Sequence, residues 1–413
     1  MTLSADAADS AHEASEARRA QTAAMRILLE RLDLAALAAA PASEARAEVL
    51  RFTVDSLDRQ SRGLTPETRH AVASAVCDEI LGLGPLERLL AAPGVTDIMI
   101  NGLGGVYIEA AGAMSAQPSP FASRDHLMTI CQRAAAQAGR RVDEAAPLCD
   151  AMLPDGSRIN IVWPPLAPDG PLLTIRKLRD QPFTLAALDE LGALPGRSAA
   201  MLRAAVAARA NILITGGGGS GKTTLLNALA GCAGAHERII ACEDAAELRI
   251  SHPHWVRLEA RPANFEGAGE IAMGALIRNA LRMRPDRIIV GEVRGAEAFD
   301  LVQAMNTGHD GSMGTLHANH PAQALSRLHA LAAMGAGRTP SDAMGRLVAG
   351  GVDLIAHMER RPGGGRALAH MAALDDDGRV APIRLDGDAP PRRLLAKTSA
   401  RGDAAHLRQA FEP

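Results

Sequence analysis

The chain has 413 residues, 47% of them hydrophobic and 22% charged. It can therefore bury a sizeable core, and at about 150 residues per domain its length suggests two or three domains. The formal net charge is −3, which excludes a surface that is basic overall and so a general attraction to nucleic acid or anionic membranes. Two Trp, one Tyr and six Phe leave few rings for stacking bases, which disfavours a single-strand binder.

The five cysteines form no CxxC pair, which disfavours a zinc site or a disulfide framework and indicates a reducing compartment. The first residues carry acids where a signal peptide carries bases, and no apolar segment reaches the ~18–20 residues that a spanning helix requires. We expect a cytoplasmic protein that meets the inner membrane only peripherally, through partners. We expect no specific nucleic-acid partner.

The first part of the chain predicts a helical region. Residues 1–20 are Ala, Ser, Asp and Glu without apolar periodicity, which predicts a disordered tail. Residues 21–90 contain apolar residues at helical spacing, and Thr65 followed by Pro66 predicts a capped helix start.

Residues 91–180 predict a small α+β domain. VTDIMIN and VYIEA, separated by NGLGG, predict a β-hairpin, and RINIVW and LLTIRKL predict two further strands. A helix is expected at about 123–138. Residues 181–197 predict a linker with a short helix.

From 198 to 375, strands and helices alternate, which predicts an α/β domain with a parallel-rich sheet and crossover helices. The predicted strands are 211–215, 238–242, 255–259, 287–290 and 312–317, and the predicted helices are 223–230, 270–283, 296–305 and 321–334. VDLIAHMER and ALAHMAAL predict a closing hairpin. Residues 376–413 predict a basic C-terminal tail.

The strongest motif follows strand 211–215, opens the next helix and fits GxxxxGK[ST]. Its residues are Gly216, Gly217, Gly218, Gly219, Ser220, Gly221, Lys222 and Thr223, followed by Thr224. Glycines let backbone N–H groups wrap around phosphates, Lys222 reaches the outer phosphates, and the Thr223 hydroxyl ligates Mg²⁺. The alternative is a flexible glycine linker, but the strand–loop–helix context favours a site for a nucleoside triphosphate.

Two carboxylates follow apolar strands of the same predicted sheet. Glu243 comes after RIIAC and Glu292 after RIIVG, so both are expected at the sheet edge that carries the glycine-rich loop. There Glu243 could orient or deprotonate the attacking water, and Glu292 could hold Mg²⁺ directly or through water. The alternatives are a solvated acidic loop and an edge carboxylate without a special role.

Two histidines flank the predicted strand 312–317. His309 precedes the strand and His317 ends it. Either could sense the terminal phosphate or relay its loss, although two such histidines, taken alone, are more often structural.

The motifs GGGGSGKTT, CEDAAEL, LRMRPDRIIVGEVRG and AMNTGHDGSMGTLHAN, with the upstream GLGPLERLL and VTDIMING, resemble those of the type II/type IV secretion ATPase superfamily. The resemblance runs from about residue 81 to 374 and is closest to the branch that powers Tad/Flp pilus assembly (the CpaF type). Gly218 stands where the family usually has Thr, and CEDAAEL replaces a Pro-containing version of other branches. Neither departure removes a charged or ligating group.

This resemblance implies a homo-hexameric ring in which a PAS-like α/β domain is joined by a linker to a RecA-like domain, with ATP and Mg²⁺ between them. It implies that Glu243 activates the attacking water and that Glu292 is the family's Walker B glutamate. It also implies that His309 and His317 lie in the family's His box motif.

The resemblance also implies that Arg158 and Arg176, with Arg141 as a weaker candidate, reach the nucleotide like arginine fingers. From the residues alone, these are arginines that flank short strands and are compatible with plain surface charges.

The expected function is hydrolysis of ATP to ADP and phosphate, which drives pilus assembly or secretion through an inner-membrane platform protein. One alternative is the motor of a type IV secretion or DNA-transfer channel. The other is a nucleotide-gated assembly scaffold that barely hydrolyses ATP, against which the intact Glu243 and Glu292 argue.

Overall fold

A computed structural model describes residues 3–60, 63–110, 112–177, 182–261, 268–337, 339–361, 364–375, 378–399 and 404–412. The chain divides into two compact units, Met1–Leu178 and Arg179–Pro413. Across these described ranges, every helix is too short or too polar to cross a lipid bilayer.

The first unit begins with five helices. They are α1 (Leu3–Arg31), α2 (Leu34–Ala39), α3 (Ala42–Gln60), α4 (Pro66–Leu81) and α5 (Leu86–Ala91). The predicted cap of α4 is confirmed, since the Thr65 hydroxyl accepts a hydrogen bond from the Thr68 N–H at 3.2 Å.

The prediction of a disordered tail over residues 1–20 was wrong, because α1 already begins at Leu3. Alanine has the highest helix propensity of all residues, so an Ala-rich segment needs few apolar residues to continue a helix. Ala20, Ala24 and Leu28 follow at intervals of four, lie on one face and are buried, which anchors the helix.

The rest of the first unit is an antiparallel sheet of order β3-β2-β1-β6-β5-β4 with one helix. Its elements are β1 (Val95–Asn101), β2 (Gly105–Ala110), β3 (Ala113–Gln117), α6 (Arg124–Gln137), β4 (Leu148–Met152), β5 (Arg158–Val162) and β6 (Leu172–Arg176). Ile98, Ile159 and Ile175 lie on one face and pack with Leu127 and Ile130 of α6. The predicted hairpin, helix and α+β character are therefore confirmed, while the PAS-like identity stays a prediction.

The second unit is built on an eight-stranded sheet of order β14-β13-β12-β7-β11-β10-β8-β9. Its strands are β7 (Ile212–Gly216), β8 (Ile239–Glu243), β9 (Trp255–Glu259), β10 (Arg287–Val293), β11 (Met313–His317), β12 (Leu354–Arg360), β13 (Arg366–Leu374) and β14 (Val380–Ile383). All pairs from β12 to β9 are parallel, and β12, β13 and β14 pair antiparallel. The predicted parallel-rich sheet with a closing hairpin is confirmed.

Helices cover both faces of this sheet. They are α7 (Leu185–Glu190), α8 (Ser198–Ala207), α9 (Lys222–Ala230), α10 (Met273–Ala280), α11 (Glu297–Asn306), α12 (Pro321–Gly335), α13 (Ser341–Gly351), α14 (Arg392–Ser399) and α15 (Ala404–Phe411). Ile212 and Ile214 of β7 belong to one hydrophobic cluster, and Leu213 belongs to the cluster on the opposite face. Burial on both faces explains why β7 is apolar throughout instead of alternating.

In the described residues 378–399 and 404–412, the predicted basic tail over 376–413 is instead packed on the rest of the second unit. Strand β14 extends the sheet, and Leu394, Leu407 and Phe411 are buried in the same cluster as β7. Two of the bases are held internally: Arg393 donates to the Val352 carbonyl at 3.1 Å, and Lys397 contacts Asp353. Three widely spaced apolar residues anchor this segment, a pattern too sparse to stand out from the charges around it.

We expect Phe411→Ala to destabilise the second unit by about 3–5 kcal/mol, the usual effect of deleting a fully buried ring. Denaturant unfolding followed by tryptophan fluorescence measures this, because Trp255 of β9 lies in the second unit. Arg408→Ala, an exposed position on the same helix, is the matched control. Equal unfolding midpoints for the parent and Phe411→Ala would contradict the packed position of α15.

Candidate functional site

The glycine-rich loop joins β7 to α9 through backbone conformations that favour glycine. The φ angles of Gly216, Gly219 and Gly221 are 147°, 65° and 96°. A Cβ on Gly216 would lie 2.2 Å from the Met358 carbonyl oxygen, so no other residue fits there. A Cβ on Gly217 or Gly218 would meet nothing within 4 Å, so at these positions the loop borders open space.

Lys222 is buried at the first turn of α9. Its Nζ donates to the Gly217 carbonyl oxygen at 2.8 Å and lies 3.4 Å from His317 Nε2. The Ser220 hydroxyl is buried and has no hydrogen-bond partner among the described residues. The loop thus brings a buried ammonium group to the start of a helix, an arrangement suited to accommodating phosphate oxygens.

Glu292 and His317 lie beside this lysine, at the carboxyl ends of β10 and β11. His317 pairs in register with Gly216, and its Nε2 lies 2.6 Å from Glu292 Oε1. Burial raises the pKa of Glu292, but Arg294, His317 and Lys222 overcome this effect and lower it, so the carboxylate is ionised. Burial and the charge of Lys222 lower the pKa of His317, which favours the neutral imidazole.

Glu243 ends β8 on the other side of β10. Strands β8 and β10 pair directly, so Glu243 lies next to the strand that carries Glu292. A Cβ placed on Gly291, the residue before Glu292, would lie 3.3 Å from Glu243 Cγ. Oε1 accepts hydrogen bonds from the Glu247 and Leu248 N–H groups at 2.9 and 2.5 Å. Oε2 is buried without a hydrogen bond among the described residues. Burial raises the pKa of Glu243 to about 7, against smaller opposing effects of these N–H groups and Arg257.

His309 does not join this group. It precedes β11, whereas His317 ends that strand, and a five-residue strand separates its two ends by about 13–17 Å. Within the second unit His309 therefore lies at the far end of β11 from the loop, whereas His317 lies beside the loop, and a role of His309 in relaying the loss of the terminal phosphate stays a prediction. The reason is that only the carboxyl ends of parallel strands face the loop.

The three candidate arginines lie in the first unit. Arg158 forms a two-pronged ion pair with Asp150 of β4, at 3.0 and 2.7 Å. Arg141 contacts Asp143 and is mostly exposed. Arg176 is exposed on β6, between Asp97 of β1 and Arg158 of β5 in the register. It has no ion pair among the described residues, so of the three its guanidinium is the freest to meet an anion.

Two contacts at or next to the glycine-rich loop are made by residues that belong to no sequence motif. Arg366 of β13 donates through Nε to the Gly219 carbonyl oxygen at 2.8 Å. Thr215 Oγ1 lies 2.8 Å from Nδ1 of the buried His357 on β12. His357 lies on β12, which pairs with β7, and Arg366 lies on β13, which pairs with β12. Both strands come late in the chain, so spacing in the sequence could not reveal these contacts.

The type II/IV secretion system protein family matches residues 79–356, about two thirds of the chain. The chain belongs to this family. Membership confirms the resemblance that the motifs indicate, while the closeness to the Tad/Flp branch stays a prediction.

Several relatives of the family cover most of the chain. A Mycobacterium tuberculosis protein, provisionally named for conjugal transfer, is 43% identical over 312 residues, which are 74% of this chain and 88% of that protein. The type IV secretion system protein PtlH of Bordetella pertussis is 34% identical over 73% of this chain and 96% of its own length. The crystal structure of the VirB11 ATPase of the Brucella suis type IV secretion system shares 28% identity over 72% of this chain and 97% of that chain, with a TM-score of 0.38.

The donor set also fits the Mg²⁺ that nucleotide use in this family implies. Glu292 Oε1 is buried and ionised, and although His317 lies close, Oε1 has no hydrogen bond among the described residues. The Thr223 hydroxyl group lies on the first turn of α9. The described ranges hold no cluster of three or more His, Cys, Asp or Glu side chains suited to a metal. Mg²⁺ would therefore take its remaining ligands from phosphate and water, as it usually does.

The raised pKa of Glu243 predicts a specific pH dependence of stability. Between the ordinary value of 4.5 and the folded value of about 7, the folded state binds more protons than the unfolded state. Stability therefore falls as pH rises through this window, by up to about 3 kcal/mol. We expect Glu243→Gln to lack this loss, so that relative to the parent it gains stability between pH 5 and pH 8 in denaturant unfolding.

The matched control for this measurement is Glu259→Gln, an exposed carboxylate in register with Glu243 at the end of β9. It should follow the parent at both pH values. A constant difference between the parent and Glu243→Gln at pH 5 and pH 8 would show that Glu243 ionises normally.

Proposed function

We propose that this chain is the ATP-hydrolysing motor of a secretion or pilus-assembly machine. The observation that carries the proposal is the continuous contact from Gly217 through Lys222 and His317 to Glu292. A phosphate-binding loop alone serves kinases, switches and motors. A loop whose lysine contacts a histidine, which in turn contacts an ionised glutamate on a further strand, favours hydrolysis in this family.

The proposed reaction is ATP + H₂O → ADP + phosphate. The loop N–H groups and Lys222 bind the phosphates, and Thr223 and Glu292 hold Mg²⁺, which neutralises phosphate charge when bound. Glu243 is the candidate general base, because a carboxylate with a pKa of about 7 and an unpaired oxygen can accept a proton from water near neutral pH. His317 stays neutral and keeps Glu292 and Lys222 in place.

We further propose that the protein works as a homo-hexamer in the cytoplasm, peripheral to the inner membrane, on a platform protein. Arg176 is the preferred arginine finger because it is exposed and unpaired in the first unit, whereas Arg158 would have to leave Asp150. On the basis of the motifs, we propose that the machine is a Tad/Flp pilus. A type IV secretion or conjugation channel is the second candidate, which the names of the relatives favour.

Lys222→Ala should abolish detectable ATP binding, since it removes the cation that contacts the loop. Glu243→Gln should retain ATP affinity and lose about 10²–10⁴ in turnover, as expected for removal of a general base. Isothermal titration and a phosphate-release assay measure the two effects, with Glu259→Gln as the control. A parent that binds ATP without releasing phosphate would instead favour the nucleotide-gated scaffold.

Arg176→Ala should lower turnover by about 10³ or more while changing ATP affinity little, because a finger acts on charge that develops in the transition state. Arg158→Ala should have a similar or milder effect. The control is Arg124→Ala, an exposed arginine of the first unit without a partner among the described residues. Mixing Arg176→Ala with Lys222→Ala protein tests whether Arg176 acts on the nucleotide of its own subunit or of a neighbouring one. Restored hydrolysis means that it acts on the neighbouring subunit's nucleotide. Full activity of Arg176→Ala would end the finger role.

A further inference from the structure

A small cavity of about 220 Å³ opens beside the glycine-rich loop, entirely within the second unit. The loop contributes Gly216 and Gly217, the end of β11 contributes His317 to Asn319, and α12 contributes Gln323 and Arg327. Neither side chain of α12 belongs to a motif from the sequence. The volume is too small for a whole nucleotide but sufficient for one phosphoryl group.

Helix α12 presents Gln323 and Arg327 to this cavity from a fixed position. The two residues are four apart and so lie on the same face of the helix. Ala324 and Leu328 are fully buried and anchor the adjacent face, and the His320 ring caps the helix by accepting from the Ala322 N–H at 3.2 Å. The backbone of α12 is therefore held, while both polar side chains remain exposed.

The charge around the cavity suits an anion. Arg327 has no hydrogen bond or ion pair among the described residues, although its charge acts on His317 together with that of Lys222. Lys222 Nζ donates a hydrogen bond to the carbonyl oxygen of Gly217, which lines the cavity. An arginine without a carboxylate partner, beside a phosphate-binding loop, leaves the donors of a planar, permanently charged group available.

We propose that Arg327, assisted by Gln323, binds the terminal phosphate of the nucleotide and makes the site distinguish triphosphate from diphosphate. This inference rests on the proposed function. The loop, Lys222 and Thr223 serve the phosphates that ATP and ADP share. The cavity lies next to the first residues of the loop and provides a separate place for the group that only ATP has. Arg327 is thus a specificity-determining residue.

The test compares the affinities of the full chain for ADP and for a non-hydrolysable ATP analogue, both with Mg²⁺, by isothermal titration. Arg327→Gln should weaken the analogue about 10–100-fold, the usual effect of losing charge-assisted hydrogen bonds, and change ADP affinity less than about twofold. Arg327→Lys should have an intermediate affinity for the analogue, because lysine keeps the positive charge and lacks the planar guanidinium group. Thermal melting of each variant checks that the fold is retained.

The matched control is Arg346→Gln, an exposed arginine of α13 without a partner among the described residues, which should bind both nucleotides like the parent. Parental affinity of Arg327→Gln for the analogue overturns the inference, and so does an equal loss for both nucleotides. A parent that binds neither nucleotide overturns the proposed function itself, so the two failures are distinguishable.

Discussion

The buried ammonium group of Lys222 is the constraint on which the rest of the site depends. Only 7% of the residue is exposed, and an ammonium group withdrawn from water is costly unless polar groups surround it. The Gly217 carbonyl oxygen and His317 Nε2 supply those groups. The loop curls back over the lysine with left-handed φ at Gly219 and Gly221, while the Met358 carbonyl oxygen leaves no room for a Cβ at Gly216.

The same cation sets the state of its neighbours. Burial, and then the charge of Lys222, lowers the pKa of His317. Burial raises the pKa of Glu292, but Arg294, His317 and Lys222 lower it overall. His317 Nε2 lies 2.6 Å from Glu292 Oε1 and 3.4 Å from Lys222 Nζ, so the lysine favours a neutral imidazole and an ionised carboxylate side by side.

The sequence predicted those parts of the site that follow from strand ends, and missed those that follow from side-chain direction. Gly216, Glu243, Glu292 and His317 all end parallel strands, and parallel strands place their carboxyl ends at one edge. The ion pair between Arg158 and Asp150 depends on the register of β4 against β5, which no local pattern specifies. The packing of residues 380–399 and 404–412 was missed for a related reason, since their buried anchors are distant in sequence from the core that they join.

The two glutamates at the sheet edge lie in environments that shift their pKa values in opposite directions. Glu243 is buried, accepts backbone N–H groups through one oxygen, and has its pKa raised by burial to about 7. Glu292 is half-buried among Arg294, His317 and Lys222, and its pKa is lowered. Environments that separate the pKa values of neighbouring carboxylates assign one to proton transfer and the other to permanent charge. Arg294 follows β10 and Lys222 begins α9, and the charges of both act on Glu292, whereas burial dominates at Glu243 on β8. The opposite pKa shifts therefore follow from where the fold places these two cations.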